Sequence, residues 1–128
     1  MAFIPHSYDG GYKPSIVKLP ASAITPKIGM GLAFTSGKLA ASAKPEYICA
    51  EERSAAVAAG TLIQVIRVNP AIIFESEVDA ATEFVPGTKA DVTSDGLTVD
   101  GDGTTNKNFF IEEIDGTAAG SKVRGRFV

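Results

Sequence analysis

Few side chains in this chain could do chemistry. It has one histidine, His6, and one cysteine, Cys49. Nucleophilic catalysis needs a nucleophile, a base and a group that orients the base. His6 stands in a proline-rich stretch ahead of the first expected strand, so it could act as a base only if that stretch folded into a cleft. Cys49 lies inside the apolar run Tyr47-Ile48-Cys49-Ala50, where a buried structural thiol is expected. There is no CxxC, no HExxH and no Cys/His cluster, so no zinc site is expected. Glu51-Glu52 and Glu112-Glu113 are adjacent pairs. Neighbouring residues on a strand point to opposite faces, so neither pair forms a carboxylate dyad. From Asp102, oxygen-bearing side chains follow at Thr104, Asn106, Asn108 and Glu113, in the rhythm of a calcium loop. Lys107 occupies the position where that loop requires glycine, so a solvated hairpin loop is expected. Gly29 and Gly31 open no GxGxxG, because Phe34 stands at the last position. These residues point to a binding or structural module with no cofactor and no metal, not to an enzyme.

The elements that would position such residues read as short strands. Residues 1–20 contain Pro5, Pro14 and Pro20 around Gly10-Gly11, and read as an extended N-terminal arm. The arm also carries Phe3, Ile4, Tyr8, Tyr12, Ile16, Val17 and Leu19. It therefore either packs on its own domain or lies on another chain. Ile28, Met30, Leu32 and Phe34 alternate with small or polar residues, which predicts a half-buried strand. Thr35-Ser36-Gly37 then predicts a hairpin into Lys38-Leu39-Ala40. Glu46 to Ala50 predicts another short strand. Residues 50–59 are Ala-rich, and at most one helical turn is expected there. Leu62 to Val68 is the strongest strand signal, β-branched and apolar nearly throughout. Asn69-Pro70 breaks it, and Ala71 to Ser76 is expected to continue in the same sheet region. Further strands are expected at Lys89–Thr93, Leu97–Asp100, Phe109–Ile114 and Lys122–Val128, with a tight hairpin at Ser94-Asp95-Gly96. In the last strand Val123 and Phe127 should face one way, and Lys122, Arg124 and Arg126 the other. This rhythm predicts a mainly β chain, a small β-barrel-like or sandwich-like domain over residues 21–128. Residues 79–128 form a hairpin-rich part that could be a sub-lobe.

Composition limits the partners. With 128 residues the chain can bury a core without staples. No apolar run approaches the roughly 20 residues of a membrane span, so no membrane partner is expected. The start MAFIPHSYDGG lacks a basic and then apolar leader, so no secretory signal is expected. Residues 1–45 carry five Lys and one Asp, whereas residues 46–128 carry seven Lys or Arg and fourteen Asp or Glu. The net −3 thus hides a basic front and an acidic back. Nothing resembles a basic patch interleaved with aromatics, so nucleic acid is not expected as a partner.

The order of elements over Pro20–Val78 resembles that of the head decoration, or cement, proteins of tailed bacteriophages of the lambdoid type. The resemblance rests on the extended arm, the Thr25-Pro26 step and the hairpin from Gly31-Leu32-Ala33-Phe34 to Lys38-Leu39-Ala40. It continues through Tyr47-Ile48-Cys49-Ala50, the Ala-rich link, the strand Thr61 to Val68 and the following Ile72-Ile73-Phe74. It covers a little under half the chain. It implies a β-tulip-like fold, homotrimers on the outer surface of the virion, and the major capsid protein as partner. The arm would order on the capsid, with Phe3, Ile4, Tyr8 and Tyr12 as anchors and Lys13 and Lys18 facing acidic groups. The domain from residue 21 is then expected to fold without the arm. Residues 79–128 are an addition that compact members of this family lack. The alternative class is a surface-displayed β-module that binds carbohydrate or a host receptor, although such sites usually use Trp and this chain has none.

Overall fold

The N-terminal stretch is extended, as expected, but it is woven into the domain at both of its ends. The computed structural model describes residues 2–79, 85–101 and 103–128. Asp102, the first residue of the calcium-like loop, lies outside them. Strand β1 (Ile4–Tyr8) pairs with β7 (Ile72–Glu77), and strand β2 (Ile16–Pro20) pairs with β6 (Leu62–Arg67). The other strands are β3 (Gly31–Thr35), β4 (Lys38–Ala41), β5 (Tyr47–Cys49), β8 (Lys89–Val92), β9 (Val99–Asp100), β10 (Phe109–Ile114) and β11 (Lys122–Phe127). They form two antiparallel sheets. One has six strands in the order β1-β7-β11-β10-β8-β9, and the other five in the order β2-β6-β5-β3-β4.

Each sheet curls back on itself at a single point: the five-stranded one edge to edge, the six-stranded one with edge strand β9 against the end of β7. In the five-stranded sheet Ala21 bridges Leu39 in parallel, and the Ser22 N–H donates to the Leu39 carbonyl at 2.9 Å. In the six-stranded sheet Val78 bridges Val99, and the Asp79 N–H donates to the Val99 carbonyl at 2.9 Å. Neither sheet closes into a barrel, because a barrel requires a ladder and, among the described residues, each seam has one bridge. In the smaller sheet the reason is geometric. Two residues before Ala21, the chain facing β2 is already the Ser36–Gly37 turn. That turn has positive φ at both residues, 51° and 79°, the type I′ geometry that joins β3 to β4.

The two curls share one wall. Ile63 and Val65 of β6 face the core of the five-stranded curl with Leu32, Leu39 and Cys49. Ile66, one residue on, faces the opposite way and joins Ile48, Ile72, Phe74, Val99, Phe109, Ile111, Val123 and Phe127 in the other core. This explains why β6 reads as apolar nearly throughout: each face has a core to fill. Phe3 completes the second cluster and is fully buried, 5.3 Å from the Phe109 ring and 5.1 Å from the Phe127 ring.

Several expectations need correction. The strand expected from Ile28 begins only at Gly31, because Gly29 turns the chain at φ 86° and cradles the N-terminus. The Phe3 N–H donates to the Gly29 carbonyl at 2.9 Å, and a Cβ at Gly29 would stand 2.7 Å from the Phe3 carbonyl oxygen. Residues 50–59 form no helix, within the expectation of at most one turn; they are pinned to the preceding loop by Arg53 N–H to Pro26 O and Val57 N–H to Ile24 O. At Asn69-Pro70 the chain does leave its sheet, since β6 and β7 belong to different sheets. Strands β8 to β11 share a sheet and a core with β7 and β1, so the C-terminal part is no separate lobe. The last strand alternates as expected, with Val123 and Phe127 buried and Lys122 exposed.

The loop that resembled a calcium site is organised by a buried carboxylate on a neighbouring strand. Asp91 of β8 accepts the N–H groups of Thr105 at 3.0 Å, Asn106 at 2.9 Å and Lys107 at 2.6 Å. Burial alone would raise its pKa, but these three donors outweigh burial and hold it below the usual carboxylate range. A group whose pKa is lowered by folding stabilises the fold above its unfolded pKa of about 3.9, and that stability drains away as pH falls through the folded value. Asp91→Asn should cost about 2 kcal/mol at neutral pH, because one amide oxygen cannot serve three donors. Urea titrations at pH 7 and pH 3 check this. The difference between the two proteins should shrink at the lower pH, and an equal difference at both would refute the assignment.

Candidate interaction surface

The N-terminal residues build a groove where the two sheets meet. Strand β1 ends at Tyr8, and a three-residue 3₁₀ turn, Asp9–Gly11, redirects the chain toward β2. Its geometry follows from Gly10 at φ 60° and a bond from the Tyr12 N–H to the Asp9 carbonyl at 3.0 Å. The turn arches over the outer face of β5 and β6. Beneath it lies an open, mostly apolar groove of about 680 Å³. Ile16, Ile48 and Ile66 line it from the five-stranded sheet, Phe3 from just before β1, Pro5 and Tyr8 from β1, and Tyr12, Lys13 and Pro14 from the arch.

A guanidinium ties the arch down. Arg126 donates to Asp9 at 2.6 Å, to the Pro70 carbonyl at 2.8 Å and to Glu112. One side chain thus clamps both chain segments that cross between the sheets, residues 9–15 and residues 68–71. The Asp9 N–H also bonds directly to the Ala71 carbonyl at 2.7 Å.

The six residues singled out in the sequence divide between places. Phe3, Tyr8, Tyr12 and Lys13 gather around the groove. Phe3, though, has no exposed surface, and its role in this structure is to hold the core. Tyr8 is 43% exposed, Tyr12 half-buried and Lys13 exposed. Ile4 pairs with Glu75 and lines a neighbouring recess with Ile28 and Leu97. Lys18 lies exposed on β2, outside the groove. In the sequence Ile16 and Val17 belong to the arm without standing out as anchors, and Ile28 and Leu62 read as strand residues; all four are exposed, at 60%, 42%, 48% and 55%. Ile16 and Val17 stand between Pro14 and Pro20, and two adjacent apolar residues with prolines at both ends signal an edge strand.

The residues with chemical potential do not converge. His6 is exposed on β1, with Glu75 as its nearest ionic neighbour at 4.0 Å. Cys49 belongs to the other sheet and is buried; burial pushes its thiol pKa up, and its Sγ donates to the Glu51 carbonyl at 3.2 Å. Glu51 is bound by Arg53 at 2.8 Å and by the Gln64 N–H at 2.6 Å, and these bonds lower its pKa. Among the described residues, no three His, Cys, Asp or Glu side chains gather in a metal-binding group. Among them, too, no helix is long and apolar enough to cross a membrane. No protein-family model matches the chain, and no curated protein matches its sequence.

Proposed function

We propose that this protein decorates and stabilises the outer surface of an assembled phage capsid. The observation that carries the reading is the groove together with its exposed rim, Tyr8, Ile16 and Ile28, all on one apolar surface built largely by the N-terminal residues. Apolar surface of this kind beside exposed lysines fits a protein partner with acidic groups. In this reading the two curled sheets are a β-tulip-like scaffold, the partner is the major capsid protein, and the protein acts as a homotrimer. A cement protein works by mass action: a ligand that binds only the assembled shell stabilises it by about 2.7 kcal/mol per site at a hundredfold excess over Kd. Many such sites brace a shell without catalysis.

Co-sedimentation with empty, undecorated heads of the cognate tailed phage tests the proposal. The protein should pellet in stoichiometric amounts and raise the temperature at which the heads rupture. A double variant, Tyr8→Ala with Ile16→Asp, should lose at least about tenfold in affinity, or about 1.4 kcal/mol, while its unfolding midpoint stays near wild type. No binding by the wild type, or undiminished binding by the folded double variant, would overturn the reading.

A further inference from the structure

Strand β2 is an edge with an unusually well-defined set of free backbone groups. Ala21 donates its N–H to the Thr61 carbonyl at 2.9 Å, in register with the β2–β6 ladder. Alternate residues of an antiparallel ladder turn their backbone groups the same way. Leu19 and Val17 therefore face β6, and Ile16, Lys18 and Pro20 turn outward. Ser22 follows the same parity, because its N–H points outward and reaches Leu39. Among the described residues no strand pairs along the outer side of Ile16–Lys18, whereas the Ser36–Gly37 turn and Leu39 of β4 flank the Leu19–Pro20 end. Pro20 has no N–H to offer, which is how proline is tolerated in an edge strand. The outward donors of β2 are thus the N–H groups of Ile16 and Lys18.

We propose that this edge receives an added strand from the partner protein, an extended segment with a carboxylate set to meet Lys18. This deepens the capsid reading and rests on it. Exposed edges pair with extended segments unless they are blunted. Here the blunting is partial: Pro20 and the arch at Pro14 cap the two ends and leave one short open stretch between them. Ile16 and Val17 flank that stretch with apolar surface on both faces, so the incoming strand needs apolar side chains toward both faces there. Lys13 and Lys18 make the rim basic, and an acidic segment matches it. A strand seated there would place a side chain against Ile16, on the rim of the groove.

Proline supplies the test, because the native Pro20 shows that β2 accepts it at this parity. Lys18→Pro removes one outward donor and leaves every β2–β6 hydrogen bond in place. Lys18→Ala removes the charge and keeps the donor. Binding to empty, undecorated heads and urea unfolding are measured for both. Lys18→Pro should keep the wild-type unfolding midpoint and lose at least tenfold in affinity; Lys18→Ala should lose about threefold and show a weaker salt dependence. In the complex, hydrogen exchange at Ile16 and Lys18 should slow by at least tenfold, while Val17 and Leu19, already bonded to β6, should change little. Wild-type binding with unchanged affinity in Lys18→Pro, or unprotected Ile16 and Lys18 amides, overturns the strand and leaves the capsid reading intact. Absence of wild-type binding overturns both. If Lys18→Pro fails to fold, the exchange pattern in the wild-type complex decides.

Discussion

Deleting residues 1–20 abolishes cooperative folding. The deletion removes β1 and β2, one edge strand from each sheet, and takes Phe3 out of the shared core. Phe3 alone sets the scale. Its ring packs against Phe109 and Phe127 with no exposed surface, and replacing such a residue with Ala costs about 3–5 kcal/mol. A domain of this size has about 5–15 kcal/mol in total. Losing Phe3, the pairing of two strands and the cover over Ile48 and Ile66 exceeds that reserve. The truncated chain should show no sigmoidal urea transition and a collapsed spread of amide resonances. Phe3→Ala should remain folded, with its midpoint shifted by a loss of about 3–5 kcal/mol. A truncated chain that unfolds like the full one would mean that the first twenty residues sit on the domain without belonging to it.

Gly125→Val should be nearly as damaging. Gly125 is buried in the middle of β11, opposite Ile111 on one side and Phe74 on the other. A Cβ there would collide with the Phe110 carbonyl oxygen and stand 2.9 Å from the Phe109 ring. The neighbouring strand cannot retreat freely, because β10 already carries an irregularity between Ile111 and Glu113 and is held by β8 on its far side. Overpacking of this kind costs about 3 kcal/mol or more, since it displaces backbone and not a flexible side-chain end. Thermal unfolding checks it: the midpoint should drop by at least about 10 °C. A variant within about 2 °C of wild type would show that β10 and β11 can separate at little cost.

Much of the secondary structure was legible in the sequence, for local reasons. The hairpin at Thr35-Ser36-Gly37-Lys38 follows from turn chemistry. The strand at Leu62 to Arg67 follows from β-branched residues, and the alternation in Lys122 to Phe127 from a period of two. Where local signals conflicted, tertiary contacts decided. Ile28 to Phe34 alternates through Gly29, yet Gly29 bends away from the strand because Phe3 occupies the space beside it. The Ala-rich residues 50–59 have helix propensity, but the Arg53 and Val57 N–H groups bond to the 24–26 loop and the Ala50 N–H to Gln64 of β6.

The candidate surface was legible only in part. Tyr8, Tyr12 and Lys13 were noticed because apolar and basic residues in a proline-rich stretch are conspicuous. Ile48 and Ile66 looked like ordinary core residues, since nothing in a strand pattern says which face meets the groove. Pro14 and Pro20 mark β2 as an edge strand, but which strand it pairs with and which side stays open could not be read, because strand order is a property of pairing between distant segments.

By itself, then, the amino-acid sequence determined that the chain is mainly β, where most of its turns fall and which residues alternate, because these follow from φ preferences and side-chain periodicity within a few residues. Only the tertiary structure decided that the first twenty residues belong to both sheets, that β6 and β7 part at Pro70, and that a groove opens between the sheets. Those outcomes depend on which apolar faces find each other across the chain, and burying Phe3, Ile66 and Phe127 together requires contacts that no local window contains.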